Sequence, residues 1–154
     1  MRGKKAPRRE ILPDPVYNSV LVSKLINLVM KDGKKHVANK IVYTTLKRLE
    51  DGKEKSGLEI LEEALEKVRP TVVLKARRVG GANFQVPLPV ERDAGTQIAL
   101  RWILEAARKR KGAPIVEDLV KEINDILTDQ GDVLKKREDT HRMAESNRAF
   151  SHFR

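Results

Sequence analysis

The 154-residue sequence contains no cysteine, few aromatic residues and no long apolar run. Without cysteine the chain cannot be a disulfide scaffold or hold a metal through thiolates. Aromatic residues make up only 4% of it, which argues against a platform on which several bases stack. A membrane helix needs about 20 mostly apolar residues, and no apolar signal segment follows the basic N-terminus. We therefore expect a soluble, cytoplasmic protein without a membrane partner, with an organellar origin left open.

Motifs for catalysis and for metal binding are also missing. His36, His141 and His152 are the only histidines, and their spacing does not match a metal site. The segment Asp32-Gly33-Lys34-Lys35 lacks the preceding strand, the first glycine and the hydroxyl of a phosphate-binding loop. No nucleophile elbow or dinucleotide fingerprint occurs. We predict that the protein is not an enzyme and that it uses no cofactor, metal or small-molecule substrate.

What the sequence does have is positive charge, in clusters. Lysine and arginine number 32 against 22 acids, a net charge of +10. Residues 1–10 and 101–112 each carry five cations and one acid, whereas residues 50–66 carry seven acids and two lysines. Residues 117–132 carry six acids and one lysine. This pattern predicts a basic face and an acidic, solvated face, and it favours a nucleic-acid partner.

Hydrophobic spacing predicts one helical domain behind a basic, flexible tail. Prolines interrupt residues 1–16, and the helical domain covers residues 17–154. Six helices are expected at about residues 20–31, 34–50, 56–70, 92–111, 114–128 and 132–149. The fourth should turn Ile98, Trp102 and Ala106 inward. The sixth, which opens the C-terminal helix and tail at residues 132–154, is polar all round, and its candidate anchors are Met143, Phe150 and Phe153.

Residues 72–90 lack the helical spacing, because apolar and polar residues alternate there with the period of a strand. We predict a two-stranded β-ribbon whose turn contains Gly80, Gly81, Ala82 and Asn83. Pro87 and Pro89 would remove hydrogen-bond donors from one edge, which protects an exposed ribbon from pairing with other strands. The predicted fold class is therefore mainly α: a single domain of about six helices with a protruding two-stranded β-ribbon between helices three and four.

The cations suit contact with many phosphates rather than with bases. The candidates lie in the tail, in the first interhelical loop, on the ribbon, at helix ends and in the sixth helix: Arg2, Lys4, Lys5, Arg8, Arg9, Lys34, Lys35, Lys75, Arg77, Arg78, Arg92, Arg108, Lys109, Arg110 and Arg142. This arrangement favours a folded RNA that is read by shape and backbone. A β-ribbon DNA-architectural protein is the alternative, although it would ordinarily carry an apolar wedge at the ribbon tip. A protein–protein scaffold is a third reading, and its binding would survive high salt.

Four motifs also resemble a known family. DPVYNSVLVSKLINLVMKDGKK (14–35), RRVGGANFQVP (77–87), ALRWILEAAR (99–108) and KKREDTHRMAESNRAFSHFR (135–154) are similar to bacterial-type small-subunit ribosomal protein seven. The resemblance implies a primary binder of small-subunit (16S-type) rRNA that nucleates assembly of the subunit head. It also implies a position at the subunit interface, near the exit-site tRNA and the mRNA path and beside ribosomal proteins nine and eleven.

The resemblance assigns roles to some residues. It places the basic tail, Lys34-Lys35 and Arg77-Arg78 against rRNA. It places two further groups near tRNA and mRNA: the ribbon tip Gly80, Gly81, Ala82 and Asn83, and the C-terminal Lys135, Lys136, Arg137, Arg148 and Arg154. One stretch departs from the family, which commonly has an Arg-Arg pair before the fourth helix where this chain has Asp93-Ala94, with Arg92 as the nearest cation.

Overall fold

The computed structural model describes residue 3 and residues 10–153. The elements follow in the order α1 (Val20–Val29), α2 (Lys35–Glu50), α3 (Gly57–Val68), β1 (Val72–Val79), β2 (Ala82–Pro89), α4 (Arg92–Lys109), α5 (Ile115–Leu127), α6 (Asp132–Ser146) and a 3₁₀ helix (Arg148–Phe153). This confirms the predicted fold class, a single mainly helical domain with a β-ribbon between the third and fourth helices. None of the helices in the described ranges is long and apolar enough to cross a membrane.

One hydrophobic core joins the helices. The second helix packs against α1, α3 and α5, while α4 contacts α1, α3, α5 and α6. Ile26, Leu46, Leu61, Leu100 and Ile123 are among the large side chains that are almost fully buried. Because each helix contributes to the same core, the loops between helices hold fixed positions relative to one another.

Ser56 caps the start of α3. Glu59 N donates to Ser56 Oγ at 3.3 Å, and Ser56 N donates to Glu59 Oε2 at 2.9 Å. This reciprocal pair satisfies two backbone donors that the first helical turn leaves unpaired. The helix ends at Val68, just before Pro70.

The predicted inner face of α4 is confirmed in part, because Trp102 and Ala106 pack against the core from its edge. Ile98, Trp102 and Ala106 are only half-buried, whereas the buried residues are Gly95, Ala99, Leu100, Ile103, Leu104 and Ala107. The buried stripe is wider than the spacing suggested because α4 packs against four other helices. Trp102 lies at the edge of that stripe, where Lys136 Nζ is 5.2 Å from its ring centroid, within cation–π range.

The acidic, solvated face predicted for residues 117–132 is also partly wrong. Asp118 and Glu122 are buried, at 5% and 2% exposure, on the same face of α5 as Leu119 and Ile126. Tertiary packing carries these two carboxylates inward with their apolar neighbours. For Glu122 the cost is offset by an ion pair with Arg110.

The ribbon turn is shorter than predicted. Gly80 and Gly81 alone form it, with φ of +58° and +88°, and Ala82 and Asn83 already belong to β2. Two consecutive positive φ values are typical of the two-residue hairpin turn, and glycine adopts them without strain. β1 and β2 pair from Val79↔Ala82 to Val72↔Pro89.

Register also determines which edge carries the prolines. Val90 N donates to Thr71 O at 2.9 Å, so these two residues form a hydrogen-bonded pair. From this pair towards the turn, non-bonded and hydrogen-bonded pairs alternate along the ribbon. Pro87 and Pro89 therefore occupy non-bonded positions, opposite Leu74 and Val72, with their nitrogens directed away from β1. As predicted, this edge lacks donors at two positions.

The base of the ribbon packs onto the C-terminal segment. Val86 and Pro87 are buried, and the ring centroids of Phe84 and Phe150 lie 5.0 Å apart. Phe150 is thus an anchor, as predicted, whereas Met143 is 48% exposed and that prediction is wrong. α6 also ends earlier than predicted, and the following 3₁₀ helix makes the contact with β2.

The chain is already held to the body at Asp14. This carboxylate is 3% exposed and accepts hydrogen bonds from the backbone of Val16 and Tyr17 and from Tyr43 Oη at 2.7 Å. The hydrogen bond to Asp14, together with burial, raises the pKa of Tyr43 to about 12. The boundary between tail and domain at residue 16 stays a prediction.

Candidate nucleic-acid interface

Seven of the predicted interface cations are exposed and have no partner among the residues that the structure describes. Their side chains make no ion pair or hydrogen bond with any residue in the described ranges: Lys34, Lys35, Lys75, Arg77, Arg78, Lys109 and Lys135. An exposed cation without an internal partner can meet a phosphate without first breaking a contact. These residues are therefore the strongest candidates for phosphate binding.

A second group of predicted cations forms exposed ion pairs. The pairs are Arg92–Glu66 at 2.6 Å, Lys136–Glu105 at 2.9 Å, Arg142–Asp139 at 2.5 Å and Arg148–Glu145 at 3.4 Å. Surface pairs of this kind contribute about 0–1 kcal/mol. A phosphate can displace such a carboxylate at small cost.

A third group of predicted cations has partners within the fold. Arg108 donates to the carbonyls of Leu28 and Val29 at the end of α1, at 3.4 and 3.3 Å, and Arg137 donates to the carbonyl of Lys67. Helix carbonyls left without intrahelical partners are thereby satisfied by cations. These two side chains join helices, whatever else they contact.

Arg110 belongs to the same group and has the most extensive contacts. It donates to Glu122 Oε2 through Nε and Nη2, at 2.9 and 2.6 Å, and to Asp125 Oδ2 at 2.5 Å. The hydrogen bonds that Arg110 donates to Asp125 and Glu122 raise its pKa above the usual value. Glu122 is the buried partner, at 3% side-chain exposure against 33% for Arg110.

The ribbon presents cations on both faces. Lys75 lies opposite Val86 and Arg77 lies opposite Phe84, so these two cations share one face, while Arg78 lies opposite Asn83 on the other. All three are exposed, whereas the base of the ribbon is buried against the body. The tip is small and open, because a Cβ built on Gly80 or Gly81 meets no atom within 4 Å.

The turn between α1 and α2 places two lysines at a helix start. Asp32 and Gly33 adopt positive φ, +53° and +71°, which reverses the chain. Lys34 is the N-cap residue of α2 and Lys35 its first residue, and the first turn holds no acid. The partial positive charge of the helix N-terminus adds to that of the lysines.

Beside this turn lies a groove of about 390 Å³, which we call the four-helix groove. It lies between the end of α1, the start of α2, the end of α4 and the start of α5. Lys31, Lys34, Arg108 and Arg110 line it together with Asp118 and mainly apolar side chains. Sequence reasoning missed both Lys31 and Asp118. No local pattern could have found this groove, because four segments distant in sequence build it.

Some predicted site residues lie outside the described residues. They are Arg2, Lys4, Lys5, Arg8 and Arg9 of the tail, and Arg154 at the C-terminus. Within the described ranges, no group of three histidine or carboxylate side chains could hold a metal ion.

His141 connects α6 to the start of the ribbon. Thr71 N donates to His141 Nε2 at 3.2 Å, which requires the imidazole to be unprotonated at that nitrogen. Burial, and secondarily the charge of Arg137, lower the pKa of His141 from its ordinary value of 6.5. The folded protein therefore holds this proton more weakly than the unfolded chain does.

This difference predicts a pH dependence of stability. Since the unfolded chain binds the proton first, the unfolding free energy contributed by His141 is present above pH 6.5 and is lost as the pH falls towards the lowered pKa. Urea unfolding of the wild type and of His141→Gln, measured between about pH 7.5 and 5, should show a steeper loss in the wild type. His36→Gln, at an exposed histidine, should retain the wild-type slope. Parallel curves for wild type and His141→Gln would contradict this role.

Comparison with known proteins gives a consistent result. The family described as "Ribosomal protein S7p/S5e" matches residues 1–148. The chain is 53% identical to "Small ribosomal subunit protein uS7" of Thermosipho africanus (strain TCF52B), over all of this chain and 99% of that protein. It is 51% identical to the protein of that name from Thermotoga maritima and 49% identical to the one from Lactococcus lactis subsp. cremoris, with the same coverage.

Proposed function

Because the chain belongs to the ribosomal protein S7p/S5e family, we propose that it is a primary rRNA-binding protein that nucleates assembly of the head of the small subunit. Membership makes it a structural, non-enzymatic constituent of the small ribosomal subunit. We propose further that the chain binds 16S-type rRNA directly and that the ribosome to which it belongs is cytoplasmic. It would lie at the subunit interface, beside ribosomal proteins nine and eleven.

The observation that carries the proposal is the set of seven exposed cations that have no partner in the described part of the chain. They come from the α1–α2 turn, the ribbon, the end of α4 and α6. Contacts spread over four elements suit an RNA in which several helices converge, because one straight duplex presents its two phosphate backbones along a single axis. The tail, residues 1–16, would add contacts through its five cations.

Filter binding across a range of salt tests the proposal. The full chain would be titrated with a head-domain rRNA fragment, a scrambled RNA of equal length and duplex DNA. If about eight phosphates are neutralised, log K should fall against log salt with a slope of about −6 to −7. Tighter binding of the rRNA fragment supports the proposal. Equal affinity for all three ligands would instead favour a DNA-architectural or non-specific role, and binding that is insensitive to salt would favour a protein scaffold.

Charge reversal on the ribbon tests its part in rRNA binding. Arg77→Glu with Arg78→Glu should weaken binding of the rRNA fragment by roughly tenfold or more and reduce the salt slope by about 2. Helicity should not change, because neither side chain has a partner in the described structure. Circular dichroism checks the fold, and a collapse of the helical signal would make the ribbon a structural element. Arg142→Glu provides a charge reversal in α6 for comparison with the ribbon variant, and it breaks one exposed ion pair.

The ribbon tip and the C-terminal segment would approach tRNA and mRNA. Deleting residues 80–83 would turn Arg78-Val79 into the new turn, where positive φ is strained. Deleting Arg78, Val79, Ala82 and Asn83 instead retains Gly80-Gly81 and removes two cross-strand pairs, which preserves the bonding alternation.

This shortened ribbon should alter the rate of tRNA release from the exit site while the subunits still assemble. Arg78→Ala alone is the control for loss of that cation. Release at the wild-type rate from ribosomes that carry the shortened chain would count against a role of the tip. The same assay on Lys135→Ala, which changes an exposed, unpaired lysine of α6, tests the C-terminal segment.

A further inference from the structure

The four-helix groove has the composition of a small-ligand site. Its volume of about 390 Å³ falls within the ~300–1,000 Å³ of such sites. Val37 at its edge is 53% exposed, and Ile41 and Ile115 continue the apolar wall. A flat, apolar-faced group would cover these side chains.

Asp118 is the acidic residue that lines the groove, and its carboxylate has no partner in the described structure. The residue is 5% exposed and lines the groove, yet its carboxylate makes no hydrogen bond or ion pair with any residue in the described ranges. Its position in the first turn of α5 reduces the cost of the charge through the helix dipole. Neither carboxylate oxygen is among the fully enclosed side-chain atoms that lack a partner in the described structure, so the oxygens open onto the groove and can accept from a donor there.

The remaining feature is the cationic side of the groove. Lys31, Lys34 and Arg108 line it, and they would repel the lysine or arginine of a partner protein. A nucleotide matches both features, because it brings an amino donor on its base and anionic phosphates on its backbone. Carboxylates accept hydrogen bonds from the amino group of cytosine in nucleic-acid complexes.

We propose that the four-helix groove receives one unstacked base of the bound RNA. The base ring packs on the apolar wall, its exocyclic amino group donates to Asp118, and the neighbouring phosphates contact Lys31, Lys34 and Arg108. Cytosine, adenine and guanine carry such an amino group, whereas uracil does not. The inference rests on the proposed rRNA binding and adds a base-selective contact to a surface that otherwise reads backbone.

Nuclear magnetic resonance of the ¹⁵N-labelled full chain tests the site with mononucleotides as probes. CMP, AMP, GMP, UMP and ribose 5-phosphate would each be titrated, and the backbone amides of Val37, Ile41 and Ile115 followed. We expect shifts at these amides with the three amino-bearing nucleotides, and affinity for CMP at least about fivefold above that for UMP. If UMP and ribose 5-phosphate caused the same shifts as CMP, the groove would bind only the phosphate, and the proposal would be overturned.

Two variants distinguish a specific role of the Asp118 carboxylate from a general effect of negative charge. Asp118→Asn should abolish the preference for CMP over UMP, whereas Glu117→Gln should retain it. Glu117 is the matched control because it is the adjacent residue, loses the same charge and pairs with Arg48 at 3.6 Å. If Asp118→Asn does not fold, the comparison of nucleotides on the wild type still decides. Arginine methyl ester is the last probe, and its binding in the groove without any effect of nucleotides would assign the site to a protein partner.

The outcome is distinguishable from failure of the proposed function. If the wild type binds the rRNA fragment selectively but shows no base-dependent shift in the groove, only the base-site proposal is rejected. Should the fragment bind no better than scrambled RNA, the proposed rRNA function falls, whatever the mononucleotides do.

Discussion

Replacing Arg110 with alanine should cost about 3 kcal/mol of unfolding free energy, the lower end of the range for breaking a buried ion pair. The variant leaves Glu122 without its cation, while the side chain of Glu122 is 3% exposed. Glu122 Oε1 already has no hydrogen-bond partner in the described structure, so the pair depends on Oε2, which accepts both bonds from Arg110. We take the lower end because Arg110 itself is 33% exposed and water screens part of the interaction.

Urea unfolding with Lys109→Ala as control measures this effect. Lys109 is the preceding residue, is exposed and has no side-chain partner in the described structure, so its loss changes the same net charge at little cost. The double variant Arg110→Ala with Glu122→Gln should recover part of the stability, because it removes the unpaired charge. A cost of less than about 1 kcal/mol for Arg110→Ala, typical of an exposed pair, would show that water reaches Glu122.

Arg110 illustrates what sequence reasoning could reach. The helices and the ribbon were predictable because their signals are local: periods of 3.6 and 2, the Ser56 cap and the Gly80-Gly81 turn. The charge pattern of the sequence places Arg110 and Glu122 in opposite clusters, on a basic and an acidic face. The sequence could not reveal that one loop brings them together and that packing of α5 takes the acid inward.

The same limit applies to the candidate interface. Exposed cations on the ribbon and at the α1–α2 turn were predictable, because turns and strand edges lie at the surface. Their independence from internal carboxylates was not predictable, since Arg92 pairs with the distant Glu66 whereas Lys34 has no acid partner in the described structure. The groove that contains Asp118 arises from packing of four helices, so no single segment encodes it.

Gly57→Ala should be about as destabilising, at about 3 kcal/mol, the upper part of the range for overpacking. A Cβ built on Gly57 would lie 2.2 Å from Leu46 O and 2.8 Å from Leu46 C. Both are backbone atoms of α2, which cannot move without disturbing the packing of α2 against α1, α3 and α5. The higher helix propensity of alanine, less than about 1 kcal/mol, does not offset this collision.

Gly95→Ala provides the graded comparison, because it makes the same substitution in another helix, α4. There the added Cβ would lie 2.8 Å from Arg69 Cγ, on a flexible side chain, and 3.0 Å from Pro70 O. Since Arg69 can move, we expect a cost of about 1 kcal/mol. For a chain of this size, the difference of about 2 kcal/mol corresponds to a melting temperature about 4–8 °C lower for Gly57→Ala. Equal stability of the two variants would show that α2 and α3 can separate without loss, and the close approach at Gly57 would then not constrain the fold.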